Sequence, residues 1–385
     1  MWIQRALISS RAPLLRLPGG ARPSVRGVSY FLDGLRLASL VFDITLSFDR
    51  SVARGSGGVS MQIQAGELGF GAIYCKEEFG GTALSRFHSS LIFEQLSAGD
   101  CSTAAYMSIH NMCAWMVDSW GTPEQRAKYV PQMAAYKCLG SYCLTEPGSG
   151  SDAAALRTTA KSDGEHYILN GSKAFISGSG DSGVYLVMVR HEGEPGPKGI
   201  FCILVEEGTP GLHLGKKERK LGWLTHPARI ITFEDCKVPK TNQLGGRNEG
   251  FRIAMAGING GRLNIASCSL GAAHLSLDVA IEHMKNRQQF GQRLADMQHL
   301  QHRVAAAAAK LHVSRLVFIA ILYDGRRKVV DEALQMLGGY GVLRDLPVEQ
   351  YLRDCRVHRV IEGTNEIMHH IAARDLFTNE TWHTP

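Results

Sequence analysis

The fold class of this chain is decided by residues 167–177, Tyr167-Ile168-Leu169-Asn170-Gly171-Ser172-Lys173-Ala174-Phe175-Ile176-Ser177. The stretch reads as two strand-like pieces on either side of Asn-Gly, a dipeptide typical of a two-residue β-turn. It therefore predicts a β-hairpin near the middle of the chain. Further strand patterns lie around it at residues 184–189, 199–205 and 230–233, with Gly and Pro turns between them.

Helical patterns flank this β region on both sides. Before it, Thr122 and Pro123 have the cap and first-turn chemistry of a helix start. After it, Asp324-Gly325 and Gly338-Gly339 predict helix ends. The predicted helices cover residues 83–98, 102–119, 123–136, 251–286, 297–322, 328–337 and 365–377. Helices, then an antiparallel sheet, then helices indicate an α+β fold rather than a βαβ alternation.

The same patterns predict three domains after an N-terminal leader. The leader, residues 1–29, contains five arginines and no acid, which is typical of a mitochondrial transit peptide; a disordered basic tail is the alternative. We expect an N-terminal helical domain at 30–139, a middle antiparallel β-barrel at 140–240 and a C-terminal helical bundle at 241–385. Residues 30–64 are atypical of the first domain, because they show no clean period and contain a Gly-rich breaker cluster.

Composition excludes several classes of function. The leader arginines account for five of the six formal positive charges, so no concentrated basic face indicates nucleic-acid binding. The longest strongly apolar run, residues 316–323, is too short for a membrane span. Nine cysteines without a Cys-x-x-Cys pair predict reduced thiols, and the histidines lack ligand spacing, so we predict no metal.

A small-residue loop precedes the β region. Gly148-Ser149-Gly150-Ser151-Asp152-Ala153 matches the dinucleotide fingerprint by letter, but Pro147 precedes it and a hairpin follows, so a nicotinamide-binding Rossmann unit is not predicted. Such a loop can instead present N–H and hydroxyl groups to a ligand with many acceptors. An ordinary connecting loop is the alternative.

Three motifs in the C-terminal half have both a functional and a structural interpretation. Asn259-Gly260-Gly261-Arg262 places two glycines inside a predicted helix, at a cost of about 1 kcal/mol each, so a helix or a ligand is expected close to its backbone. Arg287, at the end of that helix, suits a pyrophosphate or is a surface arginine at a helix C-terminus. The stretch 335–339, Gln-Met-Leu-Gly-Gly, is typical of a glycine-capped helix end.

Glu362 is the candidate catalytic residue. It lies in Val360-Ile361-Glu362-Gly363-Thr364-Asn365-Glu366-Ile367, between apolar residues and just before a predicted helix. A carboxylate with apolar neighbours loses water, which raises its pKa and makes it a better base near neutral pH. A solvated acid near a helix start is the alternative interpretation.

In this order, these stretches resemble the acyl-CoA dehydrogenase family. The similarity runs from about residue 67 to 377, roughly four-fifths of the chain. Residues 108–116, 259–262 and 265–271 are most similar to members that act on short branched acyl chains. The motifs that carry the resemblance are residues 142–152, 175–177, Arg287-x-x-Phe290-Gly291, Gln335-x-x-Gly338-Gly339 and 362–366.

The resemblance implies the three-domain fold above, FAD, and usually a homotetramer in the mitochondrial matrix. It implies a short branched-chain acyl-CoA as substrate and electron-transferring flavoprotein as the oxidant. The residues it assigns to FAD are Tyr142, Cys143, Leu144, Thr145, Glu146, Pro147, Gly148, Ser149, Gly150, Ser151, Phe175, Ile176, Ser177, Thr364, Asn365 and Glu366, with Arg287, Gln298, Gln335, Met336, Leu337, Gly338 and Gly339 reaching FAD of a neighbouring subunit. The residues it assigns to acyl-CoA are Ser151, Asn259, Gly260, Gly261, Arg262 and Arg374.

The resemblance also implies that Glu362 removes the α-proton of the thioester. In some family members the base lies on the long helix, at the position of Gly261 here, which has no side chain. One departure is a shortfall between Arg287 and Gln335, near Lys328-Val329, where a bundle helix is missing. The alternative function is therefore a catalytically impaired or non-catalytic family member that binds acyl-CoA or acts as an assembly partner.

Overall fold

The computed structural model describes residues 65–316 and 323–378. The predicted transit peptide, the atypical segment 30–64 and the end of the predicted helix 297–322 lie outside these residues. None of the helices described is both long enough and apolar enough to cross a membrane.

Three helices form the N-terminal part: α1 (Arg86–Gly99), α2 (Cys101–Trp120) and α3 (Pro123–Ala134). Asp100 separates the first two, and its carboxylate accepts a hydrogen bond from the Thr103 N–H at 2.6 Å, so it caps α2 as α1 ends. Thr122 and Gln125 form a capping box at α3, with Pro123 in the first turn. The helices and the Thr122 cap predicted here are confirmed.

The middle part is an eight-stranded sheet in the order β6-β7-β3-β2-β4-β5-β8, with β1 added beside β4. Most neighbours are antiparallel, as predicted, whereas β1 and β2 each pair with β4 in parallel. β2 and β4 run in the same direction because the chain reverses between β2 and β3 and again between β3 and β4, and β1 enters the sheet in that direction too. The strands are β1 (Gly140–Cys143), β2 (Thr159–Asp163), β3 (His166–Ser177), β4 (Val184–His191), β5 (Ile200–Glu206), β6 (Leu212–Leu214), β7 (Ala228–Pro239) and β8 (Gln243–Leu244).

The hairpin predicted at Asn170-Gly171 is wrong, because β3 runs through both residues. The register with β7 shifts at this point, so the dipeptide forms a bulge. The Asn170 side chain accepts from the Asp235 backbone N–H at 2.9 Å and donates to the Asp235 carboxylate at 3.0 Å. These two hydrogen bonds replace backbone hydrogen bonds that are missing between β3 and β7 at the bulge. Gly171 has φ 141°, and a Cβ there would lie 2.7 Å from the Thr158 Cα. The actual turn into β3 contains Gly164, at φ 55°.

The C-terminal part is helical: α4 (Gly250–Asn286), α5 (Gln298–Leu316), α6 (Tyr323–Leu337), α7 (Val348–Val357) and α8 (Asn365–Thr378), with a small hairpin of β9 (Gln288–Gln289) and β10 (Gln292–Arg293) after α4. Asp324-Gly325 was predicted to end a helix, but both residues are helical in the described part of α6. Helix α7 was not predicted, although Pro347 precedes it and buried Val348, Tyr351 and Cys355 repeat at helical spacing.

Helix α6 lies where the sequence indicates a missing bundle helix. It packs against both α4 and α5. Its inward face is buried at Val329, Val330, Ala333, Met336 and Leu337. The described face of α6 is therefore packed inside the bundle rather than exposed to water.

Two buried clusters hold the parts together. One lies inside the sheet and includes Tyr185, Val187 and Phe201. The other joins α2 to the outer face of β4 and to α4 through Met112, Leu186 and Ile253. This second cluster fixes α2, β1 and α4 side by side, and the cleft described below opens between them.

Candidate active site

A cavity with a volume of about 790 Å³ lies where all three parts of the chain meet. We call it the main cleft. Its walls come from α2, β1 with its following loop, the end of β3, residues 218–223, α4 and residues 357–371. Glu362 is the acid that projects from the last of these segments, between Ile361 and Gly363.

The Glu362 carboxylate lies directly over the backbone of Gly261 in α4. A Cβ built on Gly261 would be 2.8 Å from Glu362 Oε1, so the position must lack a side chain for the carboxylate to lie where it does. Glu362 itself has φ 53°, the left-handed region. The neighbouring Arg262 donates from Nε to the Glu362 carbonyl at 2.6 Å and from Nη1 to Asn259 Oδ1 at 2.8 Å. The segment carrying the acid is thus fastened to α4.

Burial sets the electrostatics of Glu362. Among the residues described, Oε2 is buried and has no hydrogen-bond partner. Burial raises the pKa of the carboxyl from 4.5 to about 7, and the Arg262 guanidinium partly opposes this rise. Glu362 therefore exchanges a proton near neutral pH, as a general base must.

A buried ion pair supports the loop after β1. Lys173 Nζ on β3 lies 2.7 Å from Glu146 Oε1, and the same carboxylate accepts from the Thr158 and Arg157 N–H groups at 2.9 and 2.6 Å. Burial alone would raise the pKa of Glu146, but Lys173 and these hydrogen bonds outweigh it, so the net pKa lies below its ordinary value. The loop is therefore held against β3 by a fully partnered charge.

Phe175 projects from the same wall of the main cleft. It has φ 59° and its side chain is 73% exposed, although it belongs to a strand with a buried neighbour on each side. The Ala174 N–H donates to the Thr145 carbonyl at 2.8 Å, which joins β3 to the loop after β1. A large aromatic surface beside a row of small polar residues is a wall suited to a flat ring with a polar edge.

The structure sorts the residues predicted for a site into three groups. Those that line the main cleft are Tyr142, Leu144, Thr145, Gly150, Ser151, Phe175, Ile176, Ser177, Arg262, Glu362 and Thr364. Those that line a second cavity of about 430 Å³ are Arg287, Gln335, Met336, Leu337, Gly338 and Gly339. Those that line neither are Cys143, Glu146, Pro147, Gly148, Ser149, Asn259, Gly260, Gly261, Gln298, Asn365, Glu366 and Arg374.

Several residues of the third group support the cleft walls instead. The Cys143 side chain is buried inside the sheet, and Glu146 is engaged by Lys173. Gly260 faces the Arg86 guanidinium, which a Cβ there would approach to 2.4 Å. Asn259 positions Arg262, while Gln298 and Arg374 are exposed.

The sequence did not indicate two other parts of the main cleft. Ile109, Met112, Met255 and Ile258 form an apolar wall near Glu362. In the sequence these four residues are typical of the buried faces of two helices. They line the same cavity only because α2 and α4 pack against each other. Trp223 also lines the cleft and was not predicted. Its backbone has φ 58°, and its backbone N–H donates to Asp354 Oδ1 at 2.6 Å.

The main cleft fits the flavin that the sequence implied. Leu144, Phe175 and Ile176 offer apolar surface for a ring system, and Thr145, Ser151 and Ser177 offer hydroxyl groups for its polar edge. Gly148 and Gly150 leave open space beside the loop, since a Cβ on either would contact nothing within 4 Å. The volume of the cleft exceeds what a small acyl group alone would fill.

Comparisons with known proteins agree with this architecture. Three family models match: the acyl-CoA dehydrogenase N-terminal domain at residues 56–137, the middle domain at 141–236, and the C-terminal domain at 248–324 and 324–377. The C-terminal model is interrupted at residue 324, close to the shortfall expected near Lys328-Val329. Mitochondrial isobutyryl-CoA dehydrogenases of Dictyostelium discoideum and Bos taurus are 53% and 50% identical to this chain, over 81% of its length and 80% of theirs.

A solved structure extends the comparison to three dimensions. Butyryl-CoA dehydrogenase from Megasphaera elsdenii superposes with a TM-score of 0.85 at 30% identity, covering 89% of this chain and 98% of its own. Family models thus cover most of the chain, and the relatives are similar over four-fifths of it. The chain is a member of the acyl-CoA dehydrogenase family of FAD-dependent flavoprotein oxidoreductases.

Proposed function

We propose that this protein oxidises isobutyryl-CoA to methacrylyl-CoA, a step of valine breakdown, with Glu362 as the base. The observation that carries the proposal is the Glu362 carboxylate, which lies over Gly261 in the main cleft with a pKa of about 7. The similarity to two isobutyryl-CoA dehydrogenases supports the choice of acyl group. A short branched chain also suits the apolar wall of Ile109, Met112, Met255 and Ile258.

In this mechanism the residues of the chain orient the thioester and move one proton. The apolar wall excludes water from around the acyl group, which strengthens the basicity of the carboxylate. Arg262 holds the Glu362 backbone, so the ionised carboxylate is directed at the α-carbon and takes its proton. The chemistry that FAD would supply at this site is acceptance of the β-hydrogen as hydride. Alignment of the base with the substrate supplies a large part of the rate.

The residues proposed to bind FAD come from segments around both cavities. The segments around the main cleft are residues 142–151, 175–177 and 364–366, with Ser151 also contacting substrate. Asn259 to Arg262 and Arg374 are proposed to contact acyl-CoA. Arg287, Gln298 and residues 335–339 are proposed to bind FAD of a neighbouring subunit in a homotetramer. Arg287 and residues 335–339 line the second cavity, where a guanidinium can pair with a pyrophosphate.

We further propose that the enzyme works in the mitochondrial matrix and passes its electrons to electron-transferring flavoprotein. The arginine-rich, acid-poor leader supports the location, and the two relatives above carry the word mitochondrial in their names. A dehydrogenase of this class needs an external oxidant after each turnover, because FAD holds two electrons at most.

The decisive experiment is turnover by the purified holoenzyme. We expect a yellow protein that reduces a dye with isobutyryl-CoA, and we expect Glu362→Gln to retain the flavin absorbance band and to lose at least about 10³-fold in kcat. Glu192→Gln, which removes an exposed acid far along the sheet, is the matched control and should be fully active. Unchanged turnover by Glu362→Gln would exclude this base.

The same assay separates the alternatives. A non-catalytic family member would bind acyl-CoA but show no turnover even with added FAD. A nicotinamide dehydrogenase would be colourless and depend on NAD. Butyryl-CoA and 2-methylbutyryl-CoA test the acyl group, because one methylene or one branch changes kcat/KM by about 10-fold to 200-fold in an apolar pocket.

A further inference from the structure

A buried cluster of two thiols and an imidazole lies behind the main cleft. Cys101 is the first residue of α2, Cys355 belongs to α7, and His358 follows the end of α7. Their Sγ and ring nitrogen atoms lie within 4.8 Å of one another, and the three residues are 0%, 2% and 1% exposed. The sequence could not indicate this group, because its members are brought together from distant parts of the chain.

Both ring nitrogens of His358 are engaged, one by Ser269 and one by the cluster. Nδ1 lies 2.6 Å from the Ser269 hydroxyl oxygen, and Nε2 lies 3.8 Å from Cys101 Sγ. In the Nδ1–H tautomer, which metal binding through Nε2 requires, the Ser269 oxygen accepts from Nδ1 while its hydroxyl donates to the Ile265 carbonyl at 3.2 Å. A ligating histidine is held in this way, by a hydrogen bond from its other nitrogen.

The spacing and the charge suit a thiophilic divalent cation. Tetrahedral Zn²⁺, with Zn–S near 2.3 Å and Zn–N near 2.0 Å, needs sulfur and nitrogen about 3.6 Å apart, close to the 3.8 Å observed. Two thiolates also neutralise the cation, so the buried site stays uncharged. Nearby Asp354 is buried, and its Oδ2 has no hydrogen-bond partner among the residues described. An anion in that position favours a cation beside it.

We propose that Cys101, Cys355 and His358 form a Zn²⁺ site in this protein. Binding releases one proton from each thiol and forms two Zn–S bonds and one Zn–N bond, while a water molecule fills the fourth position. The titratable groups that face Cys101 are Cys355, His358, Asp354 and Cys268. Because the Trp223 ring packs on His358 at 5.5 Å and also lines the main cleft, the site contacts the catalytic chamber without belonging to it.

The test measures metal on the purified holoenzyme, produced in zinc-supplemented medium and then dialysed against buffered Zn²⁺. We expect one equivalent per chain, two protons released per metal, and a zinc X-ray absorption spectrum that shows two sulfur ligands and at least one nitrogen. Cys355→Ser should weaken binding by about a hundredfold or more. Cys138→Ser, which removes a thiol between α3 and β1, is the matched control and should bind like the wild type.

Several results would overturn the site. One is a holoenzyme that takes up no zinc, and another is a spectrum without sulfur ligands. Equal weakening by Cys355→Ser and Cys138→Ser would do the same, because the metal would then be bound elsewhere. If Cys355→Ser does not fold, His358→Gln gives the same comparison, and the wild-type spectrum alone decides the ligand set.

Discussion

At the scale of single residues, the proposed chemistry depends on the carboxylate of Glu362. The sequence predicted that its surroundings are apolar, but not which residues contact it. The apolar neighbours of Glu362 predicted a raised pKa, and burial does raise it to about 7. The residue patterns around Glu362 could not show that its carboxylate lies over the backbone of Gly261, because that contact joins segments that are distant along the chain.

The pH dependence of catalysis follows from this pKa. The carboxyl must be ionised to accept a proton, so kcat/KM should fall about tenfold per pH unit below pH 7 and level off above it. The measurement is kcat/KM for isobutyryl-CoA from pH 5.5 to 8.5 with the holoenzyme. A midpoint near pH 4.5 would mean that the acid is not desolvated, and Glu192→Gln should reproduce the wild-type profile.

Gly261 allows a separate test of the base geometry. In Gly261→Ala the new methyl group would lie 2.8 Å from Glu362 Oε1, so the carboxylate must move, while alanine improves the helix propensity of α4 by about 1 kcal/mol. We expect kcat to fall by about 10-fold to 100-fold with no loss of melting temperature or of flavin absorbance. An unchanged kcat would show that the carboxylate works from a different position.

At the scale of elements, hydrophobic periodicity predicted the long helices correctly. The turn predicted from local composition was wrong where a residue distant in the chain determines the backbone conformation. Asn170-Gly171 has the composition of a turn, yet Asp235 supplies partners that let β3 continue through it. Helix α7 was missed although its buried residues Val348, Tyr351 and Cys355 repeat at helical spacing, because it has only ten residues and several of them are charged.

The ion pair on β3 gives a prediction at this scale. Lys173→Met leaves the buried Glu146 carboxylate without its cation and should destabilise the holoenzyme by about 3 kcal/mol, with weaker retention of FAD by the adjoining loop. Glu146→Gln in the same chain should restore part of the loss, because the amide oxygen can still accept the backbone hydrogen bonds. Lys161→Met, on the exposed face of β2, is the control. The measurement is denaturant unfolding, and equal effects of Lys173→Met and Lys161→Met would contradict the argument.

At the scale of the whole molecule, the predicted site residues that line a cavity divide between two cavities. Glu362 and the loop after β1 line one, while Arg287 and residues 335–339 line the other. The family resemblance implied this division, because it assigned Arg287 and residues 335–339 to FAD of a neighbouring subunit, whereas the residue patterns of the chain alone did not indicate it. The proposed homotetramer accounts for the separation, since each FAD would then touch the main cleft of one subunit and the second cavity of its neighbour.

Mixed oligomers test that arrangement. Arg287→Ala and Glu362→Gln should each be nearly inactive alone, one for lack of a cofactor contact and the other for lack of a base. Co-expressed, they should form oligomers in which an Arg287→Ala subunit keeps its own Glu362 and receives Arg287 from its neighbour, so activity should return in part. Co-expression of Arg287→Ala with the Glu362→Gln/Arg287→Ala double variant is the control. If the first pair is no more active than this control, the two cavities do not serve one cofactor across subunits.

The contact of Gly261 with Glu362 also constrains how such enzymes diverge. Two remote stretches of polypeptide converge on one point in space, and that point has room for a single acid. A lineage could move the acid from one stretch to the other only by passing through an ancestor with two crowded like charges or an ancestor with none. Both ancestors would be poor catalysts. The segment that provides the catalytic acid should therefore change seldom during evolution, and such changes should mark deep branches of the family's phylogenetic tree.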